Sequence, residues 1–511
     1  MSELIGIVDL GSNSARLVIF QIYRNRSYNL IYEQKEAVRL SEGSSDHGVL
    51  QEEAMSRALE TLNLFQEACQ RFQVQKIIAV ATAAIRNAPN GEDFIQRIKK
   101  QIGFSFQILS GQKEAYYGYL GIINTLSETD YLQFDLGGGS IELVWVKDRK
   151  VKKSISLPFG AVTLTEKFAS QDKITNDERE KLLEWLHKQW EGLEWLKEAK
   201  GLPVIGTGGT ARNIAKMDQK RKKYPFYKIH NYRVDDSSIV GLWDDLSKTD
   251  MEERKKWPGL SEGRIDLILA GAGIVHSLVD YLHSPCLIAS GCGIREGLFF
   301  EYYRKRWDKP VVVPNILHHS TRNMMRFYKV NESHTGHMEK LALQFYGFLK
   351  EEMKLSERDW ELLLTVIRLH DIGITINYYN HAKHSAYLIE NGHLYGLSHE
   401  EQVICALMAA WHGSSMKPVR NYYKQFLQNH DWKKAQSLGL ILAIIEVMDE
   451  GETGIIQEIS GKVKDKAGEL KLSCLSKPDL ELRLLEPLLR DFYKETGIKI
   501  CFSYEVLGKR K

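Results

Sequence analysis

The sequence predicts an α/β protein in which two similar domains face a common cleft, followed by an all-α domain and a small α+β tail. Three observations predict it. From Leu4 to about Asp308, short β-branched runs alternate with longer helical stretches. A segment recurs in register: Asp9-Leu-Gly-Ser-Asn-Ser14-Ala-Arg-Leu-Val18 returns as Asp135-Leu-Gly-Gly-Gly-Ser140-Ile-Glu-Leu-Val144. After Pro310-Val-Val-Val-Pro314 long helical stretches take over, and histidines crowd between His318 and His430.

The elements follow in order. Each copy of the repeat comes after a hydrophobic strand (Leu4 to Val8; Tyr131 to Phe134) and before another (Leu17 to Ile22; Ile141 to Val146), which describes a hairpin with a glycine-rich turn. Residues 51 to 72 place Met55, Leu59, Leu62, Cys69 and Phe72 on one helical face, and Ile77 to Ala81 reads as a buried strand. Asn90 is placed to cap a helix running to about Gln101, with Gly103 as its stop. Strand Phe104 to Leu109 then leads into a helix opened by Ser110. Near the end, apolar segments at Leu470 to Leu475 and Ile498 to Tyr504 flank a helical stretch, Leu480 to Thr496. The resulting domains are 1–125, 126–309, 310–455 and 456–511.

Composition excludes several classes. The 511 residues are 43% hydrophobic and 26% charged, without a repetitive tract, which rules out wholesale disorder. The longest apolar runs, such as Leu438 to Val447, fall short of the roughly 18 residues that cross a bilayer, and Met1-Ser-Glu lacks a basic signal-peptide start. A cytoplasmic protein without membrane insertion is expected. Six dispersed cysteines without a CxxC imply free thiols. With 69 basic against 66 acidic residues, the chain lacks the field of a dedicated nucleic-acid binder.

The two turns suit phosphate binding, because small residues let the backbone approach an anion and aim several N–H groups at it. Gly11, Ser12, Asn13, Ser14 and Arg16 are the candidates in the first copy, and Gly137, Gly138, Gly139 and Ser140 in the second. Gly-Ser and Gly-Gly are also common in ordinary hairpins; the repetition, with an aspartate at the strand end each time, favours a site. An aspartate beside a polyanion is repelled unless a cation lies between them, so Asp9, Asp135 and Glu142 imply Mg²⁺ or a similar hard ion such as Mn²⁺. Glu114, in the first turn of its helix, faces the same cleft; the helix dipole alone also favours a glutamate there. Arg86 could grip a phosphate through its planar fork, although a loop arginine is usually a solvated charge. Gly206-Thr-Gly-Gly-Thr-Ala-Arg212, with Gly208, Gly209 and Thr210, and Ser290 to Gly297 each follow an apolar run and lead into a helix, a placement that suits anions.

In the helical region His337, His370, Asp371, His384, His412 and Asp449 form a spaced series able to hold one or two metal ions of unspecified identity. His334 and His381 are alternatives for the first and third places. The other reading is a set of partly buried polar histidines without metal. Basic clusters at Lys220, Arg221, Lys222 and Lys223, at Arg304 and Arg306, and at Lys509 to Lys511 are ordinarily solvated faces.

In this order the segments resemble the Ppx/GppA phosphatases, the exopolyphosphatases and guanosine pentaphosphate phosphatases of the actin-like ATPase superfamily. The resemblance covers almost the whole chain, through Asp9 to Leu17, Ser110 to Ala115, Asp135 to Leu143, Ser156 to Ala161, Gly206 to Arg212 and Ser290 to Gly297. It implies two ribonuclease-H-like domains around a cleft, an HD-like helical domain and a small terminal domain. It further implies Glu114 as the base that activates water, Arg86 on a substrate phosphate, Asp135, Gly137, Ser140 and Glu142 as the second phosphate and metal site, Mg²⁺ with a monovalent cation such as K⁺, and a homodimer. Where the family often carries an acidic residue just before the glutamate, this chain has Gln112 and Lys113.

The expected reaction is in-line attack of water on the terminal phosphate of linear polyphosphate, with Lys220 to Lys223, Arg304 and Arg306 as a track for the polyanion. Hydrolysis of guanosine pentaphosphate is the runner-up, and both activities can coexist. An actin-fold kinase or a regulatory sensor is a third reading.

Overall fold

Strand order carries the duplication seen in the sequence. In the computed structural model, which describes residues 2–43, 48–168, 173–411, 423–424 and 426–507, the first sheet holds β1 (Glu3–Leu10), β2 (Ser14–Ile22), β3 (Tyr28–Ala37), β4 (Lys76–Ala81) and β5 (Phe106–Ile108) in the order β3-β2-β1-β4-β5. The second holds β6 (Tyr131–Leu136), β7 (Ile141–Lys147), β8 (Lys150–Leu157), β9 (Val204–Thr207), β10 (Tyr232–Asp235) and β11 (Cys286–Ala289) in the order β10-β11-β9-β6-β7-β8. In each, an antiparallel three-stranded meander continues into two parallel strands. The second sheet adds β10, antiparallel, at its edge. The two lobes thus share one topology, the mixed α/β actin-like arrangement, and lie within one compact unit, Met1–Ile316.

The hydrophobic pattern explains the layers, with some corrections. Helix Glu52–Arg71 buries Met55, Leu59, Leu62 and Cys69, as its apolar spacing requires. Phe72 lies beyond its last turn and is 36% exposed, because the chain reverses at Gln73 with φ 55°. Ile77, at the open start of β4, is also 36% exposed, while Ala79 to Ala81 are buried. Asn90 does not cap helix Gly91–Ile102; its side chain instead accepts from Leu50 N–H and donates to the Leu50 carbonyl, both at 3.0 Å. Gly103 ends that helix at φ 90°.

The lobes exchange helices. Helix Gly111–Ile123 follows β5 but packs on the second sheet, with Tyr119, Leu120 and Ile123 in a cluster with Tyr131, Val144 and Ile205. Helix Ile294–Arg306 follows β11 but packs on the first, with Leu298, Phe299 and Tyr303 against Ile5, Val18 and Phe20. By packing, the chain therefore changes lobe near residues 110 and 293, ahead of the expected boundaries at 125 and 309, because each crossing helix belongs to the core it buries itself in. The helices cross at glycines: a Cβ on Gly121 would stand 2.2 Å from the Gly293 carbonyl oxygen, and one on Gly297 would stand 1.9 Å from that of Tyr117.

The second unit, Leu317–Lys511, joins helices to a small sheet. Its helices include Glu332–Leu349, Glu357–Ile367, His381–Asn391, His399–Trp411 and Asn429–Val447. Strands β12 (Ile456–Lys464), β13 (Ala467–Cys474) and β14 (Lys499–Val506) lie in the order β12-β13-β14, with helix Asp479–Thr496 between the last two. The sheet and its helix, the α+β arrangement of 456–511, pack on the helices of this unit. Gln344 accepts from Ile459 N–H at 2.8 Å, and Phe492 meets Phe345 at 6.4 Å between ring centroids. Among the described residues no helix is long and apolar enough to cross a membrane.

Candidate active site

The two hairpin turns close in the same way. Gly11 N–H donates to Ser14 O at 3.1 Å and Gly137 N–H to Ser140 O at 3.0 Å, and the strand-end aspartates face equivalent partners, Asp9 opposite Arg16 and Asp135 opposite Glu142. The turns also meet each other, since a Cβ on Gly138 would lie 3.3 Å from that of Ser12. Segment Ser156 to Ala161 supports the second turn: the N–H groups of Ala161 and Val162 donate to Gly137 O and Gly138 O at 3.0 and 2.9 Å.

Together the turns line a cavity of about 120 Å³ with Asp9, Asp135, Glu142, Glu114, Thr207, Gly208 and Gly209. Most of the expected residues therefore converge. Thr210 does not; it is buried against helix Ile268–Tyr281, where a Cβ on Gly271 would touch its hydroxyl oxygen at 2.7 Å. Gly139 lines a neighbouring cavity instead.

Glu114 is placed by its helix. Ser110 caps the N-terminus by accepting from Lys113 N–H, and the buried Glu114 side chain projects one turn in. Arg86, expected to grip a phosphate, does not line this cavity. Its guanidinium donates to Glu114 Oε2 at 2.7 Å and to Leu109 O at 2.8 Å, and lies 3.9 Å from Glu142 Oε1. It holds the two carboxyls in position. Ser156 Oγ donates to the same Glu142 oxygen at 2.7 Å.

Burial, with like charge at some of them, raises the proton affinity of the four carboxyls lining the pocket. Burial, then the charge of Glu142, pushes Glu114 well above the ordinary range against the opposing Arg86. Burial, then Asp135, lifts Glu142 to about 7. Burial likewise raises Asp9 and Asp135. A carboxyl whose folded pKa exceeds its ordinary 4.5 adds stability that is full below 4.5 and is lost as the pH rises through about 7. The ligand-free protein should thus melt at progressively lower temperature from pH 4.5 to about 7, and Glu142→Gln should flatten that slope. Melting curves of the two proteins across this range check it, and equal slopes would count against a protonated Glu142.

The oxygen-only donors Asp9, Asp135 and Glu142 suit a hard divalent ion. Among the described residues, the sets of three or more histidine, cysteine or carboxylate side chains with ligand atoms within 4.8 Å of one another are both in the second unit. A magnesium ion in the cleft would therefore draw on substrate oxygens and water to complete its shell, as that ion ordinarily does.

Arginines supply the opposite charge. Arg16, Arg212, Arg264 and Arg295 all line the cavity. Burial, then the neighbouring Arg295, depresses Arg16 to about 10, and burial, then Arg16, depresses Arg264. Arg264 Nη1 is buried without a hydrogen-bond partner, and its guanidinium lies so close to Gly209 that a Cβ there would meet Cζ at 2.4 Å. Mutually repelling cations of this kind attract a polyanion. Arg212 and Arg295 lie within the glycine-rich segments Gly206 to Arg212 and Ser290 to Gly297, whereas Arg264 lies in no such segment and carries no local signal in the sequence.

The expected basic track lies elsewhere. Lys220 to Lys223 and Arg304 with Arg306 stand at the C-terminal ends of helices Gly208–Arg221 and Ile294–Arg306, whose N-termini line the cavity. At 1.5 Å per residue that is about 20 Å away. Several of these cations are already paired: Arg221 with Asp245, Lys222 with Asp218 and Asp235, and Arg306 with Glu3. Lys509 to Lys511 lie outside the described residues.

In the second unit the structure gathers His334, His370 and Asp371, and beside them Asp371, His381 and Glu446. The alternatives His334 and His381 thus take the first and third places. His337 Nε2 is turned to the Ile456 carbonyl at 2.8 Å, and His384 stands outside both groups. Asp449 accepts from His334 Nδ1 at 2.8 Å and serves as its outer partner. Glu446 was not foreseen, and His412 lies outside the described residues.

A duplicated glycine-rich turn lining one pocket, in two lobes of equal strand order, places the protein among the actin-like proteins that handle phosphoryl groups. Comparison with known proteins narrows the class. The chain belongs to the Ppx/GppA phosphatase family, whose profile matches residues 18–306, while the profile for domain III of the same family matches residues 316–486. It is 27% identical over 420 residues, 80% of this chain and 81% of the relative, to a guanosine-5'-triphosphate,3'-diphosphate pyrophosphatase from Pseudoalteromonas translucida. The crystal structure of the Aquifex aeolicus family member matches with a TM-score of 0.52 and 31% identity, over 60% of this chain and 99% of that one. An exopolyphosphatase from Cytophaga hutchinsonii shares the fold, with a TM-score of 0.56 and 24% identity over 61% of this chain and 100% of that one.

Proposed function

We propose that the protein hydrolyses the terminal phosphoanhydride bond of linear polyphosphate. The observation that supports this best is the lining of the cleft, which combines two anion-binding turns, four arginines and the buried carboxyl of Glu114, with no aromatic side chain among the described residues for a nucleobase to stack on. The terminal phosphate accepts from the turn amides and from Ser12, Ser14 and Ser140. Glu114, held by Arg86, takes a proton from water as its oxygen bonds to phosphorus. The bridging P–O bond breaks, and orthophosphate separates from a chain shorter by one unit. Magnesium held by Asp9, Asp135 and Glu142 would offset charge on the phosphoryl oxygens. The arginines carry the next phosphates.

A second reading is hydrolysis of guanosine pentaphosphate. It draws on the named activity of the Pseudoalteromonas relative and on a cavity of about 520 Å³ that shares Ser12 and Ala83 with the phosphate cavity. Its lining includes Asn87, Pro158, Val162 and Thr163, and Glu166 and Lys167 balance in charge, which suits a nucleoside better than a polyanion.

Orthophosphate release with Mg²⁺, from polyphosphate and from guanosine pentaphosphate at matched terminal-phosphate concentration, separates the two. Faster turnover of polyphosphate is expected. Preference for the nucleotide, weakened by Asn87→Ala and Thr163→Ala, would establish the second reading instead.

A further inference from the structure

Four segments of the second unit bring imidazole and carboxylate groups to one place. His334 lies in the first turn of helix Glu332–Leu349, His370 and Asp371 follow helix Glu357–Ile367, His381 opens helix His381–Asn391, and Glu446 stands near the end of helix Asn429–Val447. The convergence is built in. Gly373 N–H donates to Ser385 Oγ at 2.8 Å, and a Cβ on Gly373 would stand 2.2 Å from the His381 carbonyl oxygen, so the turn bearing Asp371 is pressed onto the His381 helix. Asp449 ties the far end, accepting from His334 Nδ1 and from Gly454 N–H, both at 2.8 Å.

The hydrogen bonds also orient the rings. His370 Nδ1 lies 2.8 Å from Ile367 O and His381 Nδ1 lies 2.9 Å from Tyr378 O. A carbonyl only accepts, so each Nδ1 carries a proton, which leaves Nε2 as the ring atom able to ligate a metal ion. Both Nε2 atoms face Asp371, each 3.4 Å from one of its carboxylate oxygens. Nε2 and carboxylate oxygens opposed at this distance share a proton or a metal ion between them, and two such pairs converge on one carboxylate. The nearby carboxyl of Glu446 adds like charge, with the donor atoms of the group within 4.8 Å of one another.

We propose that the helical unit binds transition-metal ions at two adjoining positions, one on His334, His370 and Asp371 and one on Asp371, His381 and Glu446, with Asp371 shared. Mixed imidazole and carboxylate donors select borderline divalent ions such as zinc, cobalt or iron over magnesium. Outer partners that fix the ring orientation, here Asp449 and the two carbonyls, are what metal-binding histidines require. The inference does not depend on the proposed reaction, which takes place in the other unit.

The test uses full-length protein stripped with chelator and titrated with Zn²⁺ by calorimetry and with Co²⁺ by visible absorption. About two equivalents should bind, with ligand-field bands for Co²⁺, in the presence of excess Mg²⁺ and equally in Glu114→Gln. Asp371→Asn should abolish both events. His381→Ala, altering a partly exposed side chain, should remove one and leave the melting curve of the apo protein intact. Absence of saturable Co²⁺ or Zn²⁺ binding in the unaltered protein, or binding that persists in both variants, overturns the proposal.

Discussion

Replacing Glu114 by glutamine lowers the rate of orthophosphate release by about 10²- to 10⁴-fold, the usual worth of a positioned general base. That is about 3 to 5 kcal/mol of barrier. Glutamine keeps the shape of the side chain and an oxygen for Arg86 Nη1, now 2.7 Å away, but cannot accept a proton from water. The loss should fall on kcat, with KM nearly unchanged, because the turns and arginines proposed to hold the phosphates are untouched. Steady-state kinetics with polyphosphate, beside a binding measurement on the variant, reads both terms. A variant that keeps its rate would remove Glu114 from the chemistry and send the search to Glu142, the other carboxyl beside Arg86. Arg86→Ala is a different experiment, since it frees the base and removes the charge that opposes its protonation.

The second large effect is structural. Gly297→Ala puts a methyl group 1.9 Å from the Tyr117 carbonyl oxygen, at the crossing of the two helices that exchange lobes. Neither backbone can yield without moving a helix, so the cost should reach about 3 kcal/mol, the upper part of the usual range for overpacking. Gly347→Ala is the contrasting control. That residue also lies inside a helix, yet a Cβ there meets nothing within 4 Å, and alanine should stabilise by up to about 1 kcal/mol. Denaturant unfolding of the pair should shift in opposite directions. Equal stability of Gly297→Ala and the parent would mean that the helices are not in contact in solution. Because Glu114 rides on one crossing helix and Arg295 on the other, any Gly297→Ala protein that folds should also be impaired in turnover.

Legibility differed from element to element. The hairpin repeat was readable because it is local: strand, tight turn and strand follow one another, and their residue types are dictated by neighbours a few positions away. Ser110 as a cap and Gly103 as a stop were readable for the same reason. Asn90 shows the limit, since its side chain prefers the Leu50 backbone 40 residues away, a partner no local pattern reveals. The metal-ligand series shows a similar limit. Spacing nominated several histidines, and helix packing chose His334 and His381 over His337 and His384 and added Glu446.

By itself the sequence determined the two α/β lobes, the pair of glycine-rich turns, the carboxylates at the strand ends and the glutamate at its helix start, because all of these are set by short-range periodicity and turn chemistry. Only the tertiary structure decided that Arg86 holds Glu114 and Glu142, that Arg264 joins three other arginines in the cleft, and that the basic clusters stand a helix length away. It also decided that each lobe borrows a helix from across the chain. The physical reason is common to these cases: charge pairing and close packing depend on distance in space, and side chains separated by tens or hundreds of residues meet only after the sheets have formed and stacked their helices.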